Sequence, residues 1–275
     1  MKTLLLTDPM PAGYFTKSID GLAPDVELIE YRPDISDAEL AEIEVVLGWR
    51  FPAGVAARLP RLKWVCSVAA GVEKLLVPDL APHIPLSRIV DTEQAEGIAQ
   101  FVVLMALRHA RGLAAYEAQQ IERAWRRRPV AALRSRVAVL GMGTMGGAVA
   151  RLLGAVGFDV TGWSRRSGVS LDARAFAQMP RGSYLINIAR GAHVVEADLI
   201  DAVRRAHLAG AALDVQRVEP MPADDPLWNV PGITITPHIA AQSSPETIAA
   251  QFVAGLRCVQ RGEMPPQTVD RARGY

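Results

Sequence analysis

The sequence predicts an α/β protein of two domains, each built around a doubly wound parallel sheet. Two patterns carry that expectation. Short apolar runs alternate with amphipathic segments through residues 1–90, and a second alternating series begins at a glycine-rich turn near residue 141. Between them, residues 93–123 form one long apolar helical stretch that reads as a bridge from one domain to the next. A chain of 275 residues, half of them hydrophobic, is long enough for two cores.

In order, the first series offers strands at residues 3–7, 26–31, 45–49, 64–68 and 86–90. The Leu4-Leu5-Leu6 run is too short for a signal-peptide core and reads as the first strand. Ser36 is placed to cap a helix over residues 36–43. In the bridge, Ile98, Phe101, Val102, Met105, His109 and Leu113 mark one face, and Val103, Leu104 and Leu107 another. A helix apolar on several faces is covered by more than its own domain, so residues 93–123 read as part of a subunit interface. The expected division is 1–92, completed by 245–275, against 93–244.

The second series opens at residues 136–146, R-V-A-V-L-G-M-G-T-M-G. Val137 to Leu140 form a run of the kind read as a strand buried on both faces. Gly141, Gly143 and Gly146 follow at the spacing G-x-G-x-x-G around Thr144, and a helical pattern starts at Met145, with Val149, Leu152, Leu153 and Val156 on the same face. Strand, glycine turn and helix in that order are the context in which this fingerprint binds a dinucleotide, so both domains read as Rossmann-like with a cofactor cleft. Gly141 permits the turn, Gly143 the approach of a pyrophosphate, and Gly146 close packing of helix on strand. A second strand, 158–163, ends in Ser164-Arg165-Arg166, where an NAD site usually carries an acidic residue. A hydroxyl and two guanidiniums suit a 2′-phosphate, so the cofactor reads as NADPH in preference to NADH. Beyond it lie a helix at 172–179, a strand at 183–188, a helix at 196–206, strands at 211–215 and 233–236, a helix at 245–261 and an irregular tail.

Composition excludes other classes. Thirty basic against 29 acidic residues leave a net charge of +1, and Arg126-Arg127-Arg128 reads as a solvated helix end, not a nucleic-acid site. No apolar run reaches the roughly 18 residues of a membrane span. Two cysteines far apart, Cys66 and Cys258, suggest a reducing, cytoplasmic setting. No metal site is assigned.

Ligands of doubly wound sheets collect beyond the C-terminal ends of the strands. Three such ends carry polar groups: Arg190 after one strand, Asp214 and Glu219 after the next, His238 after the third. Reducing a ketone requires a proton donor, which His supplies near neutral pH. A carboxylate on the far ring nitrogen would fix its tautomer and stabilise the protonated ring. An arginine clamps the carboxylate and carbonyl of a 2-oxo acid. Arg190, Glu219 and His238 fit these roles. His83, His109, His193 and His207 have no comparable setting and read as structural or surface residues.

The motifs G-M-G-T-M-G, W-S-R-R, L-I-N-I-A-R-G, A-L-D-V…E-P and I-T-P-H-I-A, in this order, resemble the D-2-hydroxyacid dehydrogenase family. Within it they are similar to the glyoxylate/hydroxypyruvate reductases of the short A type, whose ending is like the V-D-R-A-R-G-Y here. The resemblance implies Arg190, Glu219 and His238 as the catalytic trio, with Ala189 and Asp214 beside the cofactor and Asp214 near the nicotinamide amide. It also implies that the loop Ala69-Ala70-Gly71-Val72 offers N–H groups to a substrate carboxylate and that Trp49 walls the pocket. A dimer through the long helix is implied as well.

One departure stands out. Family members have a further helix and a central strand after the S-R-R turn, whereas here only residues 167–171 separate Arg166 from Asp172. A unit of about 30 or more residues is missing. Its loss should either leave a gap in the sheet or force the fingerprint strand against the strand ending at Arg190. The expected function is reduction of a small 2-oxo acid with NADPH; the alternative is a non-catalytic nucleotide-sensing or corepressor-like protein of the same fold.

Overall fold

The computed structural model describes residues 1–8, 10–129, 135–164 and 170–271. It divides into two compact units, Met1–Asp91 with Ser243–Tyr275, and Thr92–Gln242.

The first unit begins with β1 (Lys2–Leu6), α1 (Gly13–Leu22), β2 (Glu27–Glu30), α2 (Asp37–Ala41), β3 (Val45–Gly48), β4 (Trp64–Ser67) and β5 (Leu86–Ser87). The strands form one sheet in the order β2-β1-β3-β4-β5, parallel throughout. Alternation along the central strands sends Leu4, Leu6, Val46 and Val65 into one core. Leu5, Val45, Leu47, Trp64 and Cys66 enter the other, so both faces are covered. Ser36 caps α2: its hydroxyl accepts from the Glu39 N–H at 3.2 Å, and the Glu39 carboxylate reaches back to the Ser36 N–H at 3.1 Å.

The second unit contains α3 (Thr92–Ala110), α4 (Leu113–Ile121), β6 (Arg136–Leu140), α5 (Thr144–Ala155), β7 (Asp159–Trp163), α6 (Ala173–Gln178), β8 (Ser183–Asn187), α7 (Glu196–Arg204), β9 (Leu208–Leu213) and β10 (Ile233–Ile235). The chain then returns to the first unit as α8 (Pro245–Gln260), where Phe252 stacks on Trp64 with ring centroids 5.4 Å apart.

Two expectations need correction. The stretch 93–123 is not one helix: α3 and α4 meet at a bend of 65°. Gly112 breaks it by taking the left-handed conformation, φ +65°, which glycine adopts without steric cost. Nor is the fingerprint strand buried on both faces. Val139 is buried with Ala148, Val149 and Leu153 of α5 and Ala95, Ala99 and Val102 of α3, while Arg136, Ala138 and Leu140 are exposed. The cause lies in the sheet. Among the described residues β6 and β7 pair only with each other, and β8, β9 and β10 form a separate parallel sheet in the order β10-β9-β8. The sheet has therefore not closed over the short 167–171 connection. Ile186 and Ile188 nevertheless pack against the cluster around Val139. No single described helix is long and apolar enough to cross a membrane.

Candidate active site and cofactor loop

The site is built from the turns that leave β8, β9 and β10. At the end of β8, Asn187 is 6% exposed, and its side chain ties down the next turn. Its Oδ1 accepts from the Ala189 N–H at 3.1 Å, and its Nδ2 donates to the Arg190 carbonyl at 2.9 Å. Arg190 follows half-buried, donating from Nη1 to the Ala189 carbonyl at 2.6 Å.

After β9 the chain runs through Asp214 and Gln216 to Glu219, which precedes a cis peptide bond to Pro220. The Gln216 N–H donates to Glu219 Oε1 at 3.1 Å, and His238 Nδ1 lies 3.1 Å from Glu219 Oε2. A carboxylate only accepts, so Nδ1 carries the hydrogen and Nε2 is the nitrogen left for chemistry. Both groups keep partial exposure, 38% for the imidazole side chain and 23% for the glutamate.

Beyond β10, His238 itself has φ +56°, uncommon for a residue with a side chain. Asp214 surrounds this turn with acceptors. Its carbonyl accepts the His238 N–H at 2.8 Å. Its Oδ1 accepts the Thr236 hydroxyl at 2.5 Å and the Ile239 N–H at 2.9 Å, and its Oδ2 accepts the Ala240 N–H at 2.9 Å. Asp214 is 1% exposed.

Asn187, Gln216 and Thr236 were not singled out from the sequence. Their signal is a polar residue at the end of an apolar strand, which a turn would supply equally well. Gln216 is 7% exposed and donates from Nε2 to the Leu213 carbonyl at 3.0 Å and the Thr236 carbonyl at 3.4 Å, joining the exits of β9 and β10. Of the other histidines, His207 shares its Nε2 hydrogen between the carbonyls of Phe176 and Met179, at 2.9 and 3.1 Å. His109 stacks on Tyr184 with centroids 4.3 Å apart.

The glycine loop joins β6 to α5. Gly141 has φ +100°, and its N–H donates to the Trp163 carbonyl at the end of β7, at 2.8 Å. Gly143 is the N-cap of α5, with no side chain to satisfy the first turn, which begins at Thr144-Met145. A Cβ on Gly146 would stand 1.7 Å from the Gly141 carbonyl oxygen, so only glycine closes this turn. Ser164 is exposed just past β7. Arg165 and Arg166 lie outside the described residues.

In the first unit, Ser67 shapes the loop after β4. Its hydroxyl donates to the Gly71 carbonyl at 2.7 Å and accepts the Ala69 N–H at 3.1 Å. Ala70 and Gly71 are half-buried and Val72 is buried. Trp49 is half-buried after β3, with Lys74 Nζ 4.8 Å from its ring centroid.

Comparison with known proteins shows what the chain is similar to. The family model for the NAD-binding domain of D-isomer specific 2-hydroxyacid dehydrogenases matches residues 103–170 and 168–240, in two segments that meet at the short connection. The glyoxylate/hydroxypyruvate reductase A of Serratia proteamaculans is 33% identical over 84% of this chain and 88% of its own length. That of Photorhabdus laumondii is 32% identical over 96% of each chain, in an alignment of 307 positions against the 275 residues here. Among solved structures, a D-isomer specific 2-hydroxyacid dehydrogenase from Xanthobacter autotrophicus in complex with NADPH and MES superposes with a TM-score of 0.89. It is 32% identical, covering 100% of this chain and 99% of that one. An NADPH-dependent glyoxylate/hydroxypyruvate reductase from Sinorhizobium meliloti, in complex with NADP and sulfate, has a TM-score of 0.89 at 26% identity and the same coverage. With that matched domain and relatives above 30% identity along most of its length, the chain belongs to the D-isomer specific 2-hydroxyacid dehydrogenase family.

Proposed function

We propose that this protein reduces a small 2-oxo acid of the glyoxylate or hydroxypyruvate kind to the 2-hydroxy acid, using NADPH. The observation that carries the reading is the 3.1 Å contact of His238 Nδ1 with Glu219 Oε2, on loops adjoining the exit of Arg190. The glycine loop fits the cofactor: a turn that admits no Cβ at Gly146 opens a helix whose N-terminal N–H groups favour an anion. Gly141, Gly143, Thr144, Met145 and Gly146 would hold the pyrophosphate, with Ser164, Arg165 and Arg166 at the 2′-phosphate and Ala189 beside the cofactor. NADPH, when bound, supplies the hydride.

The chain's own residues do the rest. Arg190 clamps the substrate carboxylate and carbonyl oxygen and draws charge towards that oxygen. His238, holding Nδ1–H against Glu219, gives the proton on Nε2 to the oxygen as it becomes a hydroxyl. Glu219 keeps the tautomer fixed and stabilises the ring before transfer. Ala70, Gly71 and Val72 contribute N–H groups to the carboxylate, and Trp49 borders the substrate.

Loss of NADPH absorbance on adding glyoxylate or hydroxypyruvate tests the reading. Absence of turnover with NADPH bound would favour the rival, a nucleotide-sensing protein of the same fold, which the retained Arg190, Glu219 and His238 argue against. We further propose a homodimer through α3 and α4, where Leu104, Leu107, Leu113, Tyr116 and Ile121 are exposed. Light scattering at the mass of two chains is the expected result. The free thiols Cys66 and Cys258 support a cytoplasmic setting. The separate β6–β7 sheet and an alignment longer than the chain support the absence of a helix–strand unit between Arg166 and Asp172.

A further inference from the structure

We propose that Gln216 is a positioning residue for the Glu219–His238 pair, its backbone holding the carboxylate and its side chain holding the turn of the histidine. The inference rests on the reading of His238 as proton donor. Glu219 uses both carboxylate oxygens: Oε2 faces His238 Nδ1, and Oε1 accepts the Gln216 N–H, each at 3.1 Å. The direction of the carboxylate, and with it the hydrogen on the ring, therefore depends on where residue 216 is held. Its own side chain holds it. Gln216 is 7% exposed, and its amide nitrogen carries two hydrogens. One is donated to the Leu213 carbonyl at the end of β9, at 3.0 Å. The other goes to the Thr236 carbonyl just past β10, at 3.4 Å. That carbonyl also accepts the His238 N–H, at 3.0 Å. One residue thus reaches both members of the pair, Glu219 through its N–H and His238 through Thr236.

The geometry also explains why an amide is needed. Leu213 and Ile235 are partners in the parallel pairing of β9 and β10, so the two strands leave the sheet side by side. Both groups that face the Gln216 nitrogen are carbonyls, which only accept, and an NH₂ supplies a hydrogen to each. Methionine has nearly the same length but no donor, and an ionised glutamate would set acceptor against acceptor. Either change releases residue 216 from the strand ends. Its N–H then leaves Glu219 Oε1, the carboxylate turns, and Nδ1 loses the acceptor that fixes its hydrogen.

The test uses Gln216→Met, alone and combined with His238→Ala, in the full chain. Readouts are kcat with glyoxylate, the Kd of NADPH, and the tautomer of His238 from ring-nitrogen NMR, assigned with His238→Ala. In the unaltered protein the ring should hold hydrogen on Nδ1. Gln216→Met should lower kcat by about 10²-fold, the effect of about 1 Å of misplacement, with a much smaller change in the Kd of NADPH. The His238 signals should become those of mixed tautomers. Added to His238→Ala, the same substitution should lower the residual rate by no more than about twofold, because the side chain it serves is gone. If Gln216→Met does not fold, Gln216→Asn, one methylene shorter and able to reach only one of the two carbonyls, decides by the same readouts. An unchanged rate and tautomer, with only the unfolding temperature lowered, would make Gln216 a structural residue and overturn the proposal. So would an equal loss of rate with and without His238, which would place the effect elsewhere. Should the unaltered protein lack turnover, the reading of function fails, while the tautomer comparison still decides the role of Gln216.

Discussion

Gly191 meets Gln216 backbone to backbone: a Cβ on the glycine would stand 2.0 Å from the Gln216 carbonyl carbon. The turn that carries Arg190 is thereby pressed against the turn that orients Glu219. Gly191→Ala must push the two apart, since the opposing atoms are main chain and cannot rotate away. Displacing Arg190 or Glu219 by about 1 Å should lower kcat about 10²-fold. The Kd of NADPH should change less than kcat, because the glycine loop lies on a different turn and only Ala189 of this one adjoins the cofactor. Full activity in Gly191→Ala would show that the two turns tolerate separation.

His238→Ala should lower kcat by roughly 10²–10⁴-fold, the usual contribution of a general acid. Cofactor binding, followed by NADPH fluorescence, should hardly change. Glu219→Gln keeps the shape but removes the anion that accepts from Nδ1, so it should lower kcat less than His238→Ala and leave the Kd of NADPH in place. Equal Kd increases in both variants would move the pair from catalysis to cofactor binding.

Arg165→Ala combined with Arg166→Ala should raise the KM for NADPH far more than that for NADH. Each charge-assisted hydrogen bond to the 2′-phosphate should contribute about 1.5–3 kcal/mol. Equal losses for the two cofactors would remove the phosphate from this turn.

Much of this was legible in the residues because backbone geometry and period write themselves locally. Apolar alternation located the strands of the first unit to within one or two residues at most ends, and Ser36 announced a cap that the structure contains and that Glu39 completes. Gly112 was overlooked because a single glycine inside an apolar helical pattern reads as a tolerated interruption, and only its φ distinguishes a break. Asp214 was visible as a residue but not in its surroundings. The donors it accepts come from Thr236, Ile239 and Ala240, more than 20 positions away, and no local pattern links them. The exposure of Leu140 was hidden for the same kind of reason: an apolar strand reads as buried whether or not the elements that should cover it are present.

The clasp between Asp25 and Arg257 predicts an acid-sensitive contribution to stability. The guanidinium donates to both carboxylate oxygens, at 2.7 and 2.8 Å, across 232 positions of sequence. The arginine's hydrogen bonds hold the Asp25 carboxyl down to about 2. A carboxyl lowered in the folded state contributes stability that is complete above its unfolded value of about 3.9 and is lost as pH falls through the folded value. Between about pH 4 and pH 2 the unaltered protein should therefore lose stability faster than Arg257→Gln. Both groups are solvent-exposed, so the difference should be small. A carboxyl NMR titration of Asp25 checks it, with the midpoint returning to near 4 in Arg257→Gln.

If the chain lacks a helix–strand unit after Arg166, as proposed, inserting one should join the two sheets and raise the rate. Among the described residues β6 pairs with β7 alone, β8 begins a second sheet, and Leu140 and Trp163 are 52% and 42% exposed. Paired strands run about 4.8 Å apart, and a strand inserted between β6 and β8 is expected to pair with both. Backbone groups along β6 and β8 would gain partners, and each such hydrogen bond contributes about 1 kcal/mol net. The helix before the inserted strand would cover the outward row Ala138 and Leu140, burying apolar area at roughly 25 cal/mol per Å². Arg190, at the end of β8, would then be fixed relative to the glycine loop at the end of β6, which is the distance hydride transfer depends on. Inserting the corresponding segment of a reductase relative between Arg166 and Asp172 should raise the unfolding temperature and increase kcat by 10²-fold or more. The 275-residue chain should meanwhile bind NADPH yet turn over slowly. Turnover equal to that of the relative, in a preparation whose intact mass matches the 275 residues, would show that the strand is dispensable and that the two sheets already hold Arg190 in place.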